Sequence, residues 1–125
     1  MPKYIDGYVL VVPNDKTEEY RKMAQMGRDS WMKHGALEYY ENRGDDLAPM
    51  VMGDMKTRTF TELAGASGND SVWLSFVVFK SKEHRDAVNA IVNEEMSQMG
   101  GPEDFPMPFE MAKMAYGGFQ VEVEG

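Results

Sequence analysis

The stretch Val72-Trp73-Leu74-Ser75-Phe76-Val77-Val78-Phe79 decides the fold. In an extended chain Val72, Leu74, Phe76 and Val78 fall on one face and Trp73, Val77 and Phe79 on the other, with Ser75 the lone polar residue. A strand that is β-branched or aromatic on both faces is expected to be covered on both sides. Immediately downstream, Ser81 is placed to cap a helix whose apolar positions Ala87, Val88, Ile91, Val92, Met96 and Met99 form a stripe ended by Gly100, Gly101 and Pro102. Phe105 to Phe109 carries two prolines and is expected to be irregular. Ala115 to Val123 then reads as a last strand, interrupted by Gly117 and Gly118 and carrying Gln120 and Glu122.

Working upstream, Tyr4 to Val12 ends in Val9-Leu10-Val11-Val12 before Pro13, the pattern of a second strand dry on both faces. Asn14 or Asp15 can cap the helix that follows, with Glu18 and Glu19 in its first turn. Tyr20, Met23, Ala24, Gly27, Trp31 and His34 recur at spacings of three and four, and Gly35 stops the helix. Residues 36 to 42 form a strand with charge inside it, which suits a sheet edge. Residues 43 to 70 are an irregular insertion in which Lys56 to Leu63 holds a short strand or helical turn.

The order βαβ then βαβ predicts one α+β domain over residues 1–125, of ferredoxin-like βαββαβ pattern with an antiparallel sheet. That pattern sets the first and third strands at the centre and the second and fourth at the edges. Two helices cover one face of the sheet. The apolar Val72, Leu74, Phe76 and Val78 face then needs a cover, and the simplest is the sheet of a second copy, giving a homodimer.

Composition excludes several function classes. The net charge of −8, from 21 acids against 13 bases, argues against nucleic acid as a partner. With no cysteine there are no disulfides, thiolate metal sites or thiol nucleophiles. No membrane span or signal core is evident, so a cytoplasmic protein is expected. Two histidines without spaced partners offer no metal site, no Gly-x-Ser-x-Gly elbow or phosphate loop is present, and no cofactor is expected.

The strings Tyr4-Ile5-Asp6-Gly7-Tyr8-Val9, His34-Gly35-Ala36-Leu37-Glu38-Tyr39, the ten residues Lys80 to Asn89, Met107-Pro108-Phe109 and Tyr116-Gly117-Gly118-Phe119 resemble the uncharacterised bacterial YbaA-like family. The resemblance runs from the first strand to the last and departs at residues 47 to 59, which are longer and richer in methionine. It implies a dimeric α+β barrel, in which two ferredoxin-like sheets pack face to face. It implies no catalytic residue and no specific activity.

Seven side chains are candidates for lining a ligand cavity: Trp31, His34, Tyr39, Ser75, His84, Arg85 and Tyr116. His34 can act as a general base between helix and sheet or pair with the last helical carbonyls. His84 and Arg85 begin a helix and can reach a carboxylate or a partner subunit. Twelve methionines and the strand aromatics suit an adaptable pocket for a small apolar or aromatic ligand, although core packing accounts for most of them. Met50, Met52 and Met55 suit a lid or a dimer contact. Two functions follow: a small-molecule binder or cofactor-independent enzyme, with a pocket carrying His34 or a strand tyrosine, or a non-enzymatic homodimer with an interaction or stress role and no pocket.

Overall fold

A computed structural model describes residues 2–99 and 107–125. The predicted helix end at Gly100, Gly101 and Pro102, and the first two residues of the Phe105 to Phe109 segment, lie outside them. Strand β1 (Tyr4–Pro13) leads through a 3-10 turn into helix α1 (Thr17–Lys33), followed by edge strand β2 (Glu38–Arg43). A two-residue hairpin, β3 (Val51–Met52) and β4 (Met55–Lys56), precedes the short helix α2 (Phe60–Ala64). Strand β5 (Asp70–Phe79), helix α3 (Lys82–Gln98) and strand β6 (Ala115–Gln120) complete the chain.

The main sheet runs β2-β5-β1-β6 with every neighbour antiparallel. The two most apolar strands occupy its centre, where both of their edges are hydrogen-bonded. Helices α1 and α3 lie on one face, burying Leu10, Val12, Trp73, Val77 and Phe79 against Tyr20, Ala24, Val88 and Val92.

Local signals set most boundaries, with corrections. Neither Asn14 nor Asp15 caps α1: both fall in the 3-10 turn, and Thr17 Oγ1 donates to the Asn14 carbonyl at 3.0 Å. Pro13, with φ fixed in the sheet exit, leaves the chain one tight turn before a helix can start. Ser81 caps α3 as expected, accepting from the His84 backbone N–H. β2 starts at Glu38 rather than Ala36, because Gly35 at φ 111° and the Ala36 N–H bond to Trp31 still belong to the helix exit. β6 stops at Gln120, short of Val123.

The buried stripe of α3 also differs from the apolar pattern. Ala87, Ile91 and Met99 are exposed, and the helix instead turns Arg85, Val88, Asn89, Val92 and Met96 inward. The spacing remains helical, but two members are polar because a buried carboxylate lies beneath them. On the sheet's other face the insertion does more than expected, as α2 packs Ala64 onto Val11 and Val72. Beyond that end the face stays open, with Leu74 45 %, Tyr40 46 % and Phe119 61 % exposed.

Candidate functional site

Strand register places polar side chains in two rows across the helix-covered face. Glu41 opposes Ser75, Ser75 opposes Tyr8, and Tyr8 opposes Tyr116, so one row crosses all four strands. The next row runs Tyr39, Val77, Asp6, Gly118. Polar groups in a covered layer must be paired.

Asp6 is fully buried on central strand β1. Its carboxylate accepts from Arg85 Nη1 at 2.6 Å and from Asn89 Nδ2 at 2.8 Å, both on the inward stripe of α3. Arg85 also donates to Asp86 and to the Tyr116 hydroxyl, and its guanidinium lies 4.7 Å from the Tyr4 ring centroid. Although burial opposes its charge, the bonds to Asp86 and Asp6 prevail and raise the Arg85 pKa. Gly118 leaves room for this arrangement, since a Cβ there would stand 2.6 Å from the Tyr4 hydroxyl and 2.9 Å from Arg85 Nη1.

The second carboxylate, Glu41, is a hub for hydroxyls. Tyr20 donates to it from α1 at 2.7 Å, Tyr39 donates at 2.5 Å from the same strand, and Ser75 donates from β5. Burial, and then the nearby Glu41 charge, push Tyr20 and Tyr39 far above the usual phenol range. Burial and the Asp6 charge do the same to Tyr8. These phenols are therefore neutral donors at any physiological pH. Trp31 joins the two centres, stacking on Tyr39 with centroids 5.8 Å apart and donating Nε1–H to Asn89 Oδ1 at 2.9 Å.

Beside Glu41 a cleft of about 380 Å³ opens between α1 and β2, lined by Arg21, Ala24, Gln25, Arg28, Tyr39, Glu41, Arg43 and Trp73. Helical spacing brings Arg21, Gln25 and Arg28 to it, and strand alternation brings Tyr39, Glu41 and Arg43. It falls within the size range of small-ligand sites. A larger groove, about 600 Å³, lies at the far side of Arg43 along Gly44, Asp45, Thr61 and Asp70. No group of three or more His, Asp or Glu side chains able to hold a metal ion occurs among the described residues.

Five of the seven sequence candidates meet here: Tyr39 and Ser75 at Glu41, Arg85 and Tyr116 at Asp6, and Trp31 between them. The histidines are elsewhere. His34 Nε2 pairs with Glu95 Oε2 at 2.5 Å, and this bond, ahead of contributions from Ser30 and Lys33, lowers the Glu95 pKa. That contact ties the end of α1 to α3 and does not face the cleft. His84 Nδ1 accepts from the Lys80 backbone N–H at 3.0 Å, at the opposite end of α3. Asp6, Glu41, Tyr20 and Asn89 belong to the site without being among the sequence candidates. A lone acid between Ile5 and Gly7 in an apolar strand, and an acid two residues from Tyr39 on one strand face, were the available signals.

Known relatives align with this chain along almost its whole length. The model of a family described as "Protein of unknown function (DUF1428)" matches residues 3–111. The chain belongs to this family. Proteins named "Uncharacterized protein YbaA" from Escherichia coli strain K12, Escherichia coli O157:H7 and Shigella flexneri are each 35 % identical over 120 residues, covering 94 % of this chain and 95 % of theirs. Both comparisons lead only to proteins of unknown function, so in this DUF1428 member the site's own chemistry has to carry any functional reading.

Two outcomes test the site's electrostatics. Arg85→Ala strands the Asp6 carboxylate in the protein interior and should cost about 3–5 kcal/mol in urea unfolding; a loss under about 1 kcal/mol would contradict the burial of that charge. Raised phenol pKa values favour the folded state below the ordinary range, and that contribution is lost as pH rises through the folded values. The near-UV phenolate signal of native protein should therefore lack Tyr8, Tyr20 and Tyr39 at about pH 10, whereas all six tyrosines ionise together in denaturant.

Proposed function

We propose that the chain is a small-molecule-binding protein whose ligand enters the cleft between α1 and β2 and exchanges hydrogen bonds with the Glu41 cluster. One observation carries this reading: a carboxylate accepting three hydroxyls sits at the wall of an open cleft instead of in sealed core. A ligand hydroxyl or N–H can replace one of those donors without leaving Glu41 unpaired. Neutral phenols on the other side of the exchange make new partners for ligand oxygens. Ala24, Tyr39 and Trp73 give the cleft an apolar floor for a single aromatic ring.

The proposal includes a ferredoxin-like sheet, supported by the order β2-β5-β1-β6, and a homodimer through the open face. Supporting the dimer are the exposed Tyr40, Leu74 and Phe119 on that face and, at the β3–β4 hairpin, Met50, Val51, Met52 and Met55, these four more than half exposed. Burial of such side chains is worth roughly 1.5–3 kcal/mol apiece before the costs of association. A cytoplasmic location accords with the cysteine-free composition, and no helix among the described residues is long and apolar enough to cross a membrane.

Saturation-transfer NMR with a mixture of neutral and charged single-ring aromatic compounds tests the binding reading. Some should bind, and Glu41→Gln or Tyr39→Phe should weaken them several-fold; no binding, or binding indifferent to both substitutions, rejects it. For the dimer, light scattering at micromolar concentration should give twice 14.2 kDa, with Leu74→Glu plus Phe119→Glu reducing it to that value. A wild-type monomer refutes the pairing.

A further inference from the structure

Resting on the reading of the cleft as a ligand site, we infer that it takes a small aromatic carboxylate, the acid group held by Arg21 and Arg28 and the ring lying over Ala24, Tyr39 and Trp73. The cleft concentrates positive charge in a protein of net charge −8. Three guanidinium groups, from Arg21, Arg28 and Arg43, line it with a single carboxylate, Glu41. Glu41 keeps its charge but is bonded to three hydroxyls, and Arg21 and Arg28 pair with Glu18 and Asp29 instead of with it.

The arginines' own partners are weak. Arg21 pairs with Glu18 and Arg28 with Asp29, both local contacts between side chains about half or more exposed. Exposed pairs of this kind are worth about 0–1 kcal/mol and are readily exchanged. Arg43 has one long bond, 3.3 Å to Asn14 Oδ1. A planar carboxylate offers a guanidinium two parallel acceptors, which none of these contacts supplies. Repulsion from the remaining acids does not prevent binding, because exposed charges are screened beyond about 8 Å at physiological ionic strength.

Size and polarity complete the assignment. About 380 Å³ accommodates one ring with its substituents and excludes a folded peptide segment. Glu41 repels an acid group from the inner end of the cleft, where the aromatic floor lies, and leaves the outer, arginine-lined end for it. The ligand is thereby oriented ring inward.

Calorimetric titration with benzoate, benzamide and inorganic phosphate tests the inference on the wild-type chain and on Arg21→Gln/Arg28→Gln, whose two substitutions fall on exposed side chains and should leave the thermal midpoint unchanged. Benzoate should bind at least tenfold tighter than benzamide or phosphate, and the double substitution should remove at least that advantage. Equal binding of benzoate and benzamide, unaffected by the arginine changes but weakened by Glu41→Gln, overturns the carboxylate inference and leaves the cleft reading standing. Phosphate binding as tightly as benzoate overturns the role of the ring. Absence of binding by all three overturns the carboxylate inference, and the cleft reading falls with it only if the wider mixture of aromatic compounds also fails to bind.

Discussion

The Asp6 carboxylate is the constraint on which the arrangement rests. It sits on a central strand with no exposure to solvent, where an unpaired charge would cost several kcal/mol. Arg85 and Asn89 meet it from α3, so the helix is seated by two directed bonds as well as by Val88 and Val92. Asn89 then accepts from Trp31 and so fixes α1, and Trp31 stacks on Tyr39, which donates to Glu41. A chain of contacts therefore runs from the buried ion pair to the mouth of the cleft. The position of the proposed ligand site depends on a salt bridge on the same covered face, two strands away.

The two faces of that sheet divide the work. Under the helices, hydroxyls, carboxylates and aromatic rings alternate with aliphatic side chains, and each buried side-chain nitrogen or oxygen among the described residues has a partner. On the opposite face the exposed central residues are apolar, with Glu38 and Asn42 the polar ones on its β2 edge, and α2 covers only the end near Val11 and Val72. Specific chemistry is confined to the covered layer and non-directional attraction to the open one. Pairing through the open face would leave the cleft accessible, since it opens between α1 and β2.

Much of the fold was legible because the strongest signals were redundant. β5 and β1 are apolar on both faces, Ser81 is a strong cap, and Gly35 marks the end of α1. The α3 helix does not bury its most apolar stripe. In α3 the carboxylate of a residue 79 positions away in sequence draws Arg85 inward, and Ile91 is left in water. Likewise, Ser75 and Tyr39 were identifiable as exceptions in strands, but Glu41 looked like an ordinary edge charge. Only the register of β2 against β5 reveals that it shares a row with Ser75. His34 drew notice through its residue type, and the structure uses it to join two helices.

That register has a meaning beyond ligand chemistry. Edge strand β2 has few buried apolar residues, so hydrophobic patterning distinguishes only weakly between its correct pairing and one shifted by a single position. A one-residue slip would turn Glu41 to the other face and leave Tyr20 and Ser75 without their acceptor. The hydroxyl hub thus favours the correct strand pairing, and a substitution at Glu41 would weaken that preference.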